Sequence, residues 1–226
     1  MAKKKKTAFP ILPLAVLIII IAASLLLIFG SNSPDFDQDG HLRLCIDPGH
    51  GGSDSGALGS DGERQEKDDC LEAAILLKDH VSSLYPEVEV LLTRQDDSEV
   101  SLEERCALAN DFSSDLFVSI HRNSAGSAAQ GVEIWISSDT DRTSRKMASE
   151  LLTALGSVGI SSDRGVKKGT ASNSEKDYYV NKNTNMPSCL IELGFITSDE
   201  DNSLFDRNLD DYMKQAAKVL GDMLTA

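Results

Sequence analysis

No Cys-x-x-Cys pair occurs in the chain, and its four cysteines stand far apart at 45, 70, 106 and 189. That absence excludes the thiolate zinc sites built on such pairs. An even cysteine count outside the cytoplasm would invite disulfides, but each of these cysteines belongs to an apolar pattern. Cys70, Ala74, Leu77, Val81 and Leu84 form one helical stripe, Leu102, Cys106 and Ala109 form another, and Cys45 and Cys189 lie in apolar strands. All four are therefore expected as free, buried thiols. Basic residues are scarce as well. The four lysines at 3–6 are the only charges before Asp35, so the remainder holds 22 less 4, or 18, basic groups against 36 acidic ones, a balance of −18. Such a balance excludes nucleic acid, anionic lipid and anionic polymers as partners gripped by charge. There is no internal repeat and no long low-complexity tract, and 226 residues leave room for one domain of ordinary size.

Residues 9–29 are apolar except for Pro10, Pro13 and Ser24. A run of about 20 apolar residues is long enough to cross a bilayer as a helix, and the lysines before it predict the N-terminus inside. The run exceeds the core of a cleaved signal peptide, and no A-x-A site follows it. No cysteine closes it, which excludes a lipoprotein. The expected layout is a cytoplasmic basic segment at 1–8, an uncleaved signal anchor at 9–30, a polar tether at 31–41 and one globular domain at 42–226. On that reading the protein is a single-pass protein of the cell membrane, with its domain outside the cytoplasm.

Within the domain, apolar strands are expected at 42–47, 88–93, 116–121, 131–136 and 188–193, with a short one at 178–181. Helical patterns fall at 66–85, at 102–112 behind a Ser101/Glu104 capping box, at 142–156 and around Leu209–Met223, with a short helical turn at 199–205. Residues 161–175 read as a loop. Strands alternating with helices predict a single α/β domain. Its central twisted sheet should be mixed or mostly parallel and flanked by helices on both faces, with the N-terminal transmembrane helix added.

The chemistry gathers at strand ends. Residues 44–52, Leu-Cys-Ile-Asp-Pro-Gly-His-Gly-Gly, run from a strand into a histidine set among glycines. Pro48 stops the strand, and the glycines let backbone or ligand come close. His121 closes the third strand, and Glu192 lies near the end of the last. Open α/β sheets bind ligands beyond the carboxyl ends of their strands, so these three should meet. Two imidazoles and a carboxylate with one position left for water suit a catalytic zinc site. A further carboxylate must then carry a proton, and an ionisable group inside the apolar run 188–193 needs a task or a partner. Spacing does not choose the carboxylate ligand among Glu63, Glu66 and Asp68. Asp47 is placed to orient an imidazole or simply to form the turn.

With these motifs in view, residues 42–224 resemble the zinc-dependent N-acetylmuramoyl-L-alanine amidases of the type-3 amidase family. The matching stretches are 46–52, Glu-Lys-Asp at 66–68, Leu-Leu-Thr-Arg at 91–94, 101–110, Leu-Phe-Val-Ser-Ile-His-Arg-Asn at 116–123, Arg-Gly-Val-Lys at 164–167 and 186–196, in the family's order. The resemblance implies His50, Glu66 and His121 as ligands of one Zn2+ and Glu192 as the catalytic carboxylate. It also implies peptidoglycan as substrate and a domain facing the cell wall; the sequence shows no insertion long enough to hold an autoinhibitory helix like those of some family members. Arg94, Asn123 and Arg164 become candidates either to line the groove or to serve loop and sheet-edge structure, and the resemblance leaves room for regulators it does not identify. Two departures from the family pattern stand out. Arg122 stands where a small residue is usual and could alter the substrate groove or its charge preference, and Asp69-Cys70 replaces Leu-Asn. A zinc peptidase acting within the stem peptide and a non-catalytic wall-binding protein are the rival readings.

Overall fold

The structure, a computed structural model, describes residues 40–126, 129–139 and 142–226. Six strands, β1 (Leu42–Pro48), β2 (Val88–Leu92), β3 (Leu116–Asn123), β4 (Val132–Ile136), β5 (Asp163–Lys168) and β6 (Ser188–Phe195), form one sheet in the order β2-β1-β3-β6-β4-β5. All neighbours run parallel except β4 and β6, which are antiparallel. The sheet is thus mixed and mostly parallel, as its alternating pattern predicts.

Among the described residues five helices cover it: α1 (Glu66–Leu84), α2 (Leu102–Asp111), α3 (Arg142–Val158), α4 (Tyr179–Asn183) and α5 (Asp199–Thr225). Leu44, Ile46, Val118, Ile134 and Ile191 pack from one face of the sheet against Leu77 of α1, Leu151 of α3 and Leu220 of α5. Cys45, Phe117, Trp135 and Leu190 pack from the other face against Cys106 of α2 and Val180 of α4. Burial on both faces is why β1 and β6 read as continuous apolar runs. The four cysteines are free and buried. Ser101 and Glu104 close the capping box that starts α2.

Several expectations are corrected. Among the described residues no helix is long and apolar enough to cross a membrane. The anchor expected at 9–30 and most of the tether lie outside the described residues, so the fold that is described is the α/β domain alone, and the transmembrane helix added to the fold class is not part of it. β5 runs through the expected loop. It is an edge strand bonded only to β4, and its sequence Asp-Arg-Gly-Val-Lys-Lys lacks the apolar alternation of an inner strand. Residues 179–183 are helical, although Tyr-Tyr-Val favours strands. The last two helical segments are one helix of 27 residues, capped by Ser198, because Phe205 and Leu209 continue one buried stripe.

Candidate active site

His50 leaves β1 with a φ of 59°, in the left-handed region, a conformation that costs a non-glycine residue roughly 1–3 kcal/mol unless its surroundings enforce it. Two buried guanidinium groups do so. Arg105 donates to the carbonyls of Pro48 and His50, each at 2.6 Å. Arg94 donates to Pro48 at 3.1 Å and to Gly49 at 2.7 Å. Arg105 is paired in turn with Asp47 at 2.7 Å, and Asp47 also accepts the hydroxyls of Thr93 and Ser119.

Asp47 therefore touches neither imidazole. It braces the loop through Arg105, a residue the sequence reading passed over. The available signal was its place between Leu102 and Cys106 on the apolar stripe of α2. Arg94 likewise takes the structural of its two expected roles. It is 3% exposed and spends its donors on backbone carbonyls, including those of Asp96 and Lys67, because a tight glycine loop leaves carbonyls that must be satisfied. Arg105→Ala leaves Asp47 buried without its cation and should cost about 3–5 kcal/mol, read as a lower midpoint in urea with an unchanged slope.

Behind this brace three donors converge. His50 Nε2 lies 3.1 Å and His121 Nδ1 2.9 Å from the same atom, Glu66 Oε1. The donor atoms of these three residues all lie within 4.8 Å of one another. Tetrahedral zinc with bonds of about 2.0–2.1 Å holds its donors roughly 3.3 Å apart, so this donor set and spacing fit a metal ion. Glu66 is fixed at both oxygens, by the backbone N–H of Arg122 at 3.0 Å and of Ala57 at 2.8 Å. The glycines have a purpose different from admitting substrate. A Cβ on Gly49 would lie 2.3 Å from the His121 ring, and one on Gly56 would lie 2.7 Å from Glu66 Oε2. They make room for the ligands themselves.

The outer nitrogen of His50, Nδ1, lies 2.8 Å from Asp54 Oδ2. This carboxylate, also unforeseen, orients the ring and fixes its tautomer. Burial disfavours the charged His50 imidazole, but the Glu66 and Asp54 carboxylates outweigh it and raise its pKa to about 9. Burial also resists ionisation of Glu66, yet the two imidazoles hold its carboxyl well below the ordinary range. Asp54→Ala should weaken metal binding about 10–100-fold, measured by competition with a chromogenic chelator.

Glu192 sits directly opposite His121 in the β3–β6 register. It shares a cavity of about 390 Å³ with His50, His121, Asp54, Tyr178 and Leu190. Its Oε2 is buried and has no hydrogen-bond partner among the described residues. Burial pushes its carboxyl up to about 7; His121 opposes this, while Glu66 and Glu133 add to it. Glu133 faces Glu192 across β4 and β6 and accepts from Asn123, Trp135, Arg164 and Lys167. Asn123 and Arg164 thus meet at Glu133, beside the cluster and not within it. Glu133, an acid within the apolar Val-Glu-Ile-Trp-Ile, carries the same sequence signal as Glu192.

Arg122 does not reach the groove. It is 2% exposed, pairs with Asp69, donates to Asn202 at 2.6 Å and lies 4.4 Å from the Phe205 ring centroid. Two of the residues that depart from the family pattern, Arg122 and Asp69, are therefore each other's partners, and the change is structural.

Comparison with known proteins agrees with this geometry. The family model described as N-acetylmuramoyl-L-alanine amidase matches residues 44–226. The uncharacterized protein YqiI of Bacillus subtilis is 39% identical over 180 residues, covering 78% of this chain and 80% of its own. The sporulation-specific N-acetylmuramoyl-L-alanine amidase of the same organism is 35% identical over 71% of this chain, which spans only 58% of that relative. The crystal structure of an N-acetylmuramoyl-L-alanine amidase from Clostridium difficile superimposes with a TM-score of 0.71 at 32% identity, covering 83% of this chain and 96% of that one. With family match, relatives and metal-ligand geometry in agreement, the chain belongs to the N-acetylmuramoyl-L-alanine amidase family of hydrolases.

Proposed function

We propose that this chain cleaves the amide between the lactyl group of N-acetylmuramic acid and the L-alanine that heads the peptidoglycan stem peptide, with His50, Glu66 and His121 holding one zinc ion and Glu192 carrying the proton. The observation that carries this reading is the buried, unpartnered Oε2 of Glu192 in the cavity that also holds both histidines. A structural carboxylate in so apolar a strand would be paired, and an idle one would cost stability for no return.

Zinc held by two imidazoles and a carboxylate would supply Lewis acidity toward the amide carbonyl and a water acidic near pH 7. Glu192 takes the proton of the attacking water at Oε2 and returns it to the alanine nitrogen as the C–N bond breaks. Its partner-free oxygen is free to hold that proton between the two steps. The products are a lactyl carboxylic acid and a peptide with a free amino terminus. Asp54 keeps the His50 ring turned toward the cluster, and Arg105 with Arg94 keeps the loop from relaxing. The domain works outside the cytoplasm on this reading, since that is where peptidoglycan lies.

The test is metal dependence in the full chain. Exhaustive chelation should abolish hydrolysis of muramoyl-peptide, and one equivalent of zinc per chain should restore it. Full activity in protein verified to be metal-free would overturn the assignment.

A further inference from the structure

A row of side chains leads away from the ligand cluster across the sheet. His121 pairs with Glu192, Glu192 with Glu133, and Trp135 with both Leu190 and Lys167. Directly paired residues share a face, so the row runs from the ligands through Glu192 and Glu133 to Lys167 and Arg164 on β5. Lys167 Nζ and Arg164 Nε lie 2.6 Å and 2.7 Å from one atom, Glu133 Oε2. Glu133 is almost fully buried, while the two cationic side chains are 33% and 34% exposed. Lys167 lies over the Trp135 ring at 5.3 Å and Arg164 over the Phe195 ring at 4.9 Å, which holds both heads in place. Two cations thus share one carboxylate, leaving a surplus positive charge on a chain whose net charge is −14.

The proton transfer gives the substrate a direction. Glu192 must reach the departing nitrogen, so the leaving peptide lies on the Glu192 side of the ligands, toward β4 and β5. The acyl group and its sugar then lie on the side of the glycine loop, where Asp54 and Glu99 line the cavity. An uncharged sugar tolerates acidic walls, whereas an anionic peptide does not. From β6 to β5 is two strand spacings, about 10 Å, which an extended peptide covers in about three residues. Resting on the amidase reading above, the geometry points to Lys167 and Arg164 as a subsite for a carboxylate carried within the first three residues of the departing peptide.

The test uses the full chain and two synthetic N-acetylmuramoyl tripeptides, one with its side and C-terminal carboxylates free and one with all of them converted to primary amides. The wild type should favour the free acid at least tenfold in kcat/KM. Lys167→Met keeps an apolar stem over Trp135 and leaves Glu133 its three other donors. It should bring the ratio close to one, mainly by raising KM for the acid, and Lys167→Arg should restore the preference. An equal loss on both compounds, an unchanged ratio, or no preference in the wild type would overturn the subsite while leaving the amidase reading intact. Hydrolysis of neither compound by the wild type would remove that reading and the subsite together.

Discussion

Glu192→Gln should keep its metal and lose turnover by about 10²–10⁴-fold, the range that a positioned acid–base group supplies. The amide has the shape of the carboxyl group but cannot accept a proton from water or pass one to nitrogen. The substitution also carries a second, opposite signature. A carboxylate buried with an unpartnered oxygen destabilises the fold, so the uncharged variant should melt at the same temperature as the wild type or higher. Metal content by mass spectrometry, turnover of a muramoyl-peptide and a thermal melt decide it together. Turnover within tenfold of wild type, or a lower melting temperature with lost metal, would make Glu192 a structural residue.

His121→Ala should lose metal and activity together. Removing one of three donors leaves Glu66 with a single imidazole against its Oε1, and the remaining pair cannot define a tetrahedral site. The protein should still fold, since the ring is part-buried at the edge of the cavity and the cores on the two faces of the sheet are untouched. The difference shows in the response to zinc. A ligand present at about a thousandfold over its dissociation constant stabilises the folded state by about 4 kcal/mol, so zinc should raise the melting temperature of the wild type and not of the variant. A variant that retains stoichiometric zinc would show that the ion sits elsewhere.

Much of this site was readable because strands announce their ends. His50, His121 and Glu192 each interrupt or close an apolar run, and a sheet of this class gathers such ends on one side. What escaped was the support behind them. Arg105 and Arg94 act through backbone carbonyls whose directions depend on the left-handed turn at His50, and no linear pattern encodes that turn. Asp54 lies in a loop so rich in polar residues that one carboxylate does not stand out. β5 was hidden because an edge strand has little need of apolar alternation, and its charges turned out to face Glu133. The helix at 179–183 was hidden because five residues carry too little periodicity to outweigh the strand preference of Tyr-Tyr-Val. The partnership of Arg122 with Asp69 joins residues 53 positions apart, so neither departure could explain the other before the chain was folded.

The central claim is most directly tested by digesting purified peptidoglycan with the zinc-loaded full chain and identifying the new ends by mass spectrometry. The account predicts stem peptides released with a free amino group on L-alanine and glycans that keep an intact lactyl carboxylate. New amino termini inside the stem peptide, with L-alanine still bound to muramic acid, would contradict it.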